Sequence, residues 1–281
     1  MATFFNQATL RYGGSVVNSN VVTGEVVEVL SAAKYAVNVD YRRGGLITYI
    51  VSLFNSGPGA YEGLVLTDDL GAYAAEGGAE AVPLSYIEGT ARLFVNGTLQ
   101  EAPTVSSASP LTVEDLSVPA GSNVQLIYQA EANEYAPIEI GDGIENTVTV
   151  SRGNFGGEIT ASAFVPAGEE ALVTVSKAVS PQSVVENGTL TYSFVMENRG
   201  NTATGDDTVL TDVFDPVLSD LSVRYNGTAW TEGVEYTYAD GVFSTVPGAV
   251  QVPAATITRD ASTGITGIVP GTAKLTVSGT V

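Results

Sequence analysis

Two sets of side chains in this sequence are of the right types to join to one another through a new amide bond. Lys34, Asp68 and Asn146 make one set; Lys177 and Asp212, with Asn6, make the other. An uncharged lysine amine can attack the carboxamide carbon of an asparagine. A protonated acid beside them polarises the carbonyl and passes protons, ammonia leaves, and an isopeptide bond remains. The chemistry needs a dry site, because burial lowers a lysine pKa and raises that of a carboxylic acid. Asp68 and Asp212 are the candidate catalytic groups, acting as proton shuttles in a single turnover. The elements that carry these residues must therefore turn them inward.

Strand alternation predicts that they do, since every second residue of a strand shares a face. Asn146 shares its face with Ile144, Val148 and Val150, opposite Glu145, Thr147, Thr149 and Ser151. Near the N-terminus, Phe4, Asn6, Ala8 and Leu10 fall together, opposite Gln7, Thr9 and Arg11. Lys177 keeps company with Val173, Val175 and Val179, Asp212 with Leu210 and Phe214, and Asp68 with Leu64, Leu66 and Leu70. Lys34 is placed less sharply, among Leu30, Ala32 and Ala36. Against this stands a plainer reading, in which the lysines reach for the surface, the acids cap turns and the asparagines bond to backbone.

The two sets are related by a repeat. Lys34 and Lys177 lie 143 positions apart, each followed by a tyrosine (Tyr49, Tyr192), an asparagine turn (Asn55, Asn198) and a Leu-Thr-Asp triplet ending at Asp68 or Asp212. Asn96-Gly97-Thr98 matches Asn226-Gly227-Thr228, and Val118-Pro119-Ala120-Gly121 is aligned with Val269-Pro270-Gly271. Such order predicts a tandem duplication. The first copy has a further strand carrying Asn146, which the second copy lacks before Val281. Upstream, Gly14, Ser19 and Val22 align with Gly157, Ser162 and Val165, so residues 1–28 read as the closing strand and connector of a preceding domain. The expected layout is an arm at 1–28, a complete domain at 29–168 and an incomplete one at 169–281. The arm of another copy would finish the incomplete domain.

Composition agrees with an all-β chain. Of 281 residues, 31 are Gly and 12 are Pro, which break short runs rich in Val, Thr, Tyr and Phe, and no stretch keeps a helical apolar period. The formal net charge of -20 argues against nucleic acid and anionic membrane as partners. With no Cys and no His, disulfides, thiol nucleophiles, imidazole bases and the commonest zinc ligands are excluded. The N-terminal residues do not read as a signal peptide, and no run is long enough for a membrane helix. The chain is thus expected to be made in the cytoplasm, without membrane insertion, and to reach an outside surface by another exit.

The string Lys177-Ala178-Val179-Ser180-Pro181, Gly188-Thr189-Leu190-Thr191-Tyr192, Asn198-Arg199-Gly200, Leu210-Thr211-Asp212 and the Asn146-Thr147-Val148-Thr149-Val150 strand resembles the conserved-repeat, immunoglobulin-like domains of bacterial surface proteins, a family of unassigned function. The resemblance implies two tandem immunoglobulin-like β-sandwiches preceded by a donor-strand arm. It also supports an internal isopeptide bond between Lys34 and Asn146, since related surface sandwiches carry one between first and last strands. More loosely, the layout is similar to spore-appendage subunits of anaerobic spore-forming bacteria, which implies a spore surface.

The expected function is a structural fibre subunit that polymerises with itself head to tail by donor-strand exchange through Phe4, Asn6, Ala8 and Leu10. Lys34 and Asn146 are the expected cross-link within a subunit, Lys177 and Asn6 the one between subunits. Other surface or appendage proteins are further candidate partners; no cofactor, no metal and no turnover enzyme are expected. The alternative is a non-polymeric adhesin or calcium-binding module. It rests on the acidic pairs Asp68-Asp69 and Asp206-Asp207, which lack the spacing of a calcium loop and read more readily as solvated turns.

Overall fold

A computed structural model describes residues 2–26 and 29–281. The described residues form strands joined by turns and short loops, and none of them lies in a helix long and apolar enough to cross a membrane. The N-terminal segment holds β1 (Ala2–Asn6), β2 (Thr9–Tyr12), β3 (Ser15–Asn18) and β4 (Val22–Val26). The next ten elements to Ala108 and Val118 are β5 (Leu30–Ala36), β6 (Leu46–Asn55), β7 (Tyr61–Asp68), β8 (Tyr73–Ala74), β9 (Glu80–Ala81), β10 (Leu84–Tyr86), β11 (Arg92–Val95), β12 (Thr98–Leu99), β13 (Thr104–Ala108) and β14 (Leu111–Val118). They are completed by β15 (Asn123–Ala132), β16 (Gly143–Ser151) and β17 (Glu158–Pro166). A second set comprises β18 (Val173–Ser180), β19 (Thr189–Asn198), β20 (Thr211–Val213), β21 (Ser219–Tyr225), β22 (Thr228–Ala229), β23 (Tyr236–Ala239), β24 (Val242–Thr245), β25 (Thr256–Arg259), β26 (Thr266–Val269) and β27 (Gly271–Thr280).

In the first sandwich, one sheet runs β12-β11-β15-β6-β5 and the other β13-β14-β7-β16-β17. Period-two patterning builds the core between them. Along β6, Ile47, Tyr49, Val51 and Leu53 are buried, while the residues between them face outward, and β15 does the same with Val124, Leu126, Tyr128 and Ala130. Facing them are Leu64 and Leu66 of β7 and Ile144, Val148 and Val150 of β16.

The second sandwich repeats only part of this plan. Its larger sheet runs β18-β19-β27-β21-β22, but the opposing one has three strands, β20-β24-β23. A separate core forms around Phe194, Phe214, Phe243, Leu275 and Val277. In the first sandwich β7 is flanked by β14 and β16; its counterpart β20 pairs with β24 alone among the described strands. Strand β18 consequently has both faces exposed in the single chain, the one that carries Val173, Val175, Lys177 and Val179 included. The reason is that no strand covers that side of the second sandwich among the described residues.

The landmark turns recur with matching contacts. Asn55 and Asn198 are fully buried, and each accepts a backbone N–H two residues on, from Gly57 and Gly200. Each also donates to a proline carbonyl, Asn55 to Pro119 and Asn198 to Pro253. That pairing corrects one alignment: the counterpart of Val118-Pro119-Ala120 is Val252-Pro253-Ala254, not Val269-Pro270-Gly271. Between Ala254 and Gly271 the second copy carries an inserted hairpin, β25–β26, which displaced the apparent match.

This inserted hairpin reaches back to the first sandwich. Thr266 N–H donates to the Glu134 carbonyl at 3.0 Å, Gly77 N–H to Ala261 at 2.7 Å, and the Arg43 guanidinium to both Glu134 and Thr266 carbonyls at 2.5 and 2.7 Å. Arg259 pairs with Asp142 at 3.3 Å, and Asn201 donates to the carbonyls of Ile138 and Gly168. The joint between the sandwiches is thus held by directed bonds from several loops.

Candidate functional site

The first sandwich gathers Lys34, Asp68 and Asn146 in its core. Lys34 comes from β5, Asp68 from the end of β7 and Asn146 from β16, and all three are buried. Their strands are brought together by β7, whose edge pairs with β16 so that Val148 lies opposite Asp68. The Lys34 Nζ donates to Asp68 Oδ2 at 2.6 Å with both side chains at 0% exposure. It also stands 5.0 Å from the centre of the Tyr49 ring.

Two residues absent from the sequence expectation complete the cluster. Tyr128 of β15 donates its hydroxyl to Asp68 Oδ2 at 2.5 Å, and Asn146 Nδ2 donates to the Tyr128 oxygen at 3.1 Å. The ring of Tyr49 stacks on that of Tyr128 at 5.5 Å. Period-two reading of β15 would have placed Tyr128 inward with Val124, Leu126 and Ala130. Nothing in the spacing announces that its hydroxyl meets the acid.

The environment sets the protonation states. Burial pushes the Lys34 amine below the ordinary lysine range, against the opposing pull of Asp68. Burial raises the Tyr128 and Tyr49 hydroxyls, so both stay neutral at physiological pH. Asn146 Oδ1 is buried with no hydrogen-bond partner. An orphaned acceptor inside a core is costly; here it is the carbonyl oxygen that a nearby acid would protonate if the amine attacked.

The Asp68-Asp69 pair is not a solvated turn. Asp68 Oδ1 accepts the Leu70 N–H at 3.0 Å, and Asp69 Oδ1 accepts those of Gly71 and Thr147 at 2.8 and 2.9 Å. Asp206 lies on the second sandwich, exposed, and accepts from Gln251 at 3.2 Å. No group of three or more acidic side chains suited to a metal ion is found among the described residues.

In the second sandwich Lys177 and Asp212 meet as an ion pair, but in the open. The lysine side chain is 41% exposed and the acid 18%. Lys177 Nζ lies over the rings of Tyr192, Phe194 and Phe214 at 4.6, 5.6 and 5.6 Å. Around them runs a groove of about 490 Å³, lined by Val173, Val175, Met196, Leu210, Val250 and Val252 among others. Asp212 Oδ2, although paired with the ammonium, takes no well-directed hydrogen bond.

Among the described strands, that of Asn6 pairs with neither sandwich. Strand β1 pairs with β4 and β2 with β3, and none of the four pairs outside the arm. Phe4, Asn6, Ala8 and Leu10, expected to share the face that enters another copy's groove, are all exposed in the single chain. The second strand of the arm is a departure, because residues read as a connector form β3 and β4. Gly13 and Gly14, both with positive φ, close the β2–β3 turn, which suits a tight hairpin.

Comparison with known proteins gives no matching family model and no matching curated protein. Among solved structures, the chain is similar to the major pilin subunit of Bacillus cereus, at 12% identity and a TM-score of 0.40, over 94% of this chain and 70% of that one. It is also similar to the pilus backbone protein of Streptococcus pneumoniae at 12% identity and a TM-score of 0.36, over 86% of this chain and 55% of that one. A third is the collagen-binding subdomain of an Enterococcus faecalis surface protein, at 4% identity and a TM-score of 0.31, over 50% of this chain and 99% of that one. Such distances are too great to transfer a function.

Proposed function

We propose that this chain is a structural subunit of an extracellular fibre of pilus or spore-appendage type, joined head to tail by donor-strand exchange. The arm of one subunit fills the groove of the next, a Lys34–Asn146 bond locks the first sandwich, and a Lys177–Asn6 bond locks the joint. The observation that carries the reading is the contrast between the sandwiches. Where β16 is present, lysine, acid and asparagine lie together in a sealed core; where its counterpart is absent, lysine and acid wait in an apolar groove, and an arm with the matching asparagine lies unpacked.

The reaction balances within the site. The lysine nitrogen bonds to the asparagine Cγ, the Cγ–Nδ2 bond breaks, the amine proton passes by way of the acid to the leaving nitrogen, and ammonia departs. Neither oxidant nor cofactor takes part. Burying Phe4, Ala8 and Leu10 contributes roughly 4–7 kcal/mol. Association costs about that much or more, so backbone pairing and a covalent lock stabilise what apolar burial alone would leave marginal.

The test is assembly of purified protein followed by boiling in detergent. Ladders of covalent oligomers are expected, lost with Asn6→Ala or Lys177→Ala. Polymers that return wholly to monomer would sink the intersubunit bond. Fibres formed by a chain lacking residues 1–12 would defeat strand donation itself.

A further inference from the structure

The first sandwich contains a template for how the arm docks, because its own β16–β17 hairpin occupies the place left open in the second. Strand β16 lies against β7 with Val148 opposite Asp68, Thr149 opposite Thr67, Val150 opposite Leu66 and Ser151 opposite Val65. Strand β17 pairs along β16 and packs beside β5. It is no mere connector, since Ala163 and Val165 are buried and Ile159 and Ala161 pack against the same core.

The arm has the same build. Leu10 pairs with Val17 and Asn6 with Val22, as Val150 pairs with Ile159 and Asn146 with Ala163. Directly opposed residues of an antiparallel pair share a face, so Val17 and Val22 lie on the face of Leu10 and Asn6. Four residues separate Val17 from Val22 but three separate Leu10 from Asn6, a bulge at which Ser19 bonds to Ala8 and Gln7. Val22 therefore stands for Ala163, not for Val165 as the sequence alignment had it. One step further, Ile144 opposite Val165 becomes Phe4 opposite Gly24. A larger residue faces a smaller one, and the Phe4 ring already lies over Gly24, where an added Cβ would come within 2.4 Å of it.

We infer that the arm of a second copy of this chain enters the groove as a two-stranded hairpin in one register, with Ala8 opposite Asp212, Thr9 opposite Thr211, Leu10 opposite Leu210 and Arg11 opposite Val209. Its second strand then closes over β18, turning Val17 and Val22 toward the core and covering Val173, Val175 and Lys177. This rests on the proposed strand donation. A chain's own arm is badly placed to do the same: it leaves the first sandwich where Leu30 lies opposite Asn55, whereas the second sandwich joins the far end, where Tyr41 bridges Ala167. The ten residues of β6 span about 33 Å between those ends. A contact between unlike surfaces at opposite ends runs head to tail, and extends into a filament wherever its rotation does not close a ring.

The chain has no cysteine, so engineered pairs report without background. In an Asn6→Ala background, which removes the proposed amide bond, Thr9→Cys combined with Thr211→Cys is oxidised mildly and examined on a non-reducing gel. Disulfide ladders are expected for this pair and not for Thr9→Cys with Val209→Cys or Val213→Cys, which sit two residues away. Polymers seen by electron microscopy whose cross-links favour a shifted pair overturn the register while leaving strand donation standing. Absence of polymers in the unsubstituted chain overturns both. For the second strand, Val17→Asp and Val22→Asp should block assembly as fully as Leu10→Asp, whereas Val16→Asp should not. If Val17→Asp assembles as well as Val16→Asp, a single strand docks and the hairpin inference is wrong.

Discussion

Tyr128 and Val277 occupy equivalent places in the two sandwiches, each opposite the inward tyrosine of the long central strand: Tyr128 faces Tyr49, and Val277 faces Tyr192. Only the first can hydrogen-bond to the acid. The hydroxyl between Asp68 and Asn146 has no counterpart beside Asp212, where aromatic rings surround the lysine instead.

Tyr128→Phe should therefore slow formation of the proposed Lys34–Asn146 bond without removing any atom that the bond would join. Loss of one hydrogen bond to a charged group is worth about 1.5–3 kcal/mol, or roughly 10- to 150-fold in rate if it holds Asp68 in the transition state. Mass spectrometry of freshly refolded protein, followed over time for the loss of one ammonia, measures it. An unchanged rate would show that the hydroxyl only fills space.

In an Asn146→Ala background, where no bond can form, Lys34→Met should destabilise the first sandwich by about 3–5 kcal/mol, because Asp68 is left buried without its partner. Changing both, Lys34→Met with Asp68→Leu, should recover most of that loss. Urea unfolding of the three variants gives the comparison.

The same background fixes a pH dependence. Because burial lowers the folded-state pKa of Lys34, the unfolded chain binds more protons between that lowered value and the ordinary lysine value of about 10.5. Stability should rise with pH across this window and flatten above it. Lys34→Met should abolish the rise. In the unsubstituted chain, bond formation should quicken over the lower part of the same range, as the amine loses its proton.

Arg43→Ala should loosen the joint between the sandwiches by removing both of its carbonyl contacts, at a cost of about 1–3 kcal/mol. Limited proteolysis should then cut the β25–β26 hairpin near Ser262 sooner than in the unsubstituted protein. Both sandwiches should melt as before.

Much of this was legible because β-sheet faces repeat every two residues. Asn146 with Ile144, Val148 and Val150, and Asp68 with Leu64 and Leu66, could be placed inward from parity alone. The lysine of β5 was harder, since the alanines beside it mark no strong face. What escaped were effects of tertiary assembly. Tyr128 looks like any core aromatic until its oxygen is seen between acid and amide. The inserted hairpin hid the true partner of Pro119, because Pro270-Gly271 happens to precede the strand in the same way. For Lys177, parity set the face and the repeat set the incomplete copy, but neither told that its ammonium lies over the rings of Tyr192, Phe194 and Phe214.

The bonds from β25–β26, Asn201 and Arg43 fix the attitude of one sandwich to the other. In the proposed polymer, the groove and the arm would thereby be held at a set rotation. An array of such units would inherit its helical pitch and its bending stiffness from the inside of each subunit, so a surface hairpin of fourteen residues, Thr256 to Val269, would govern geometry on a scale far larger than itself.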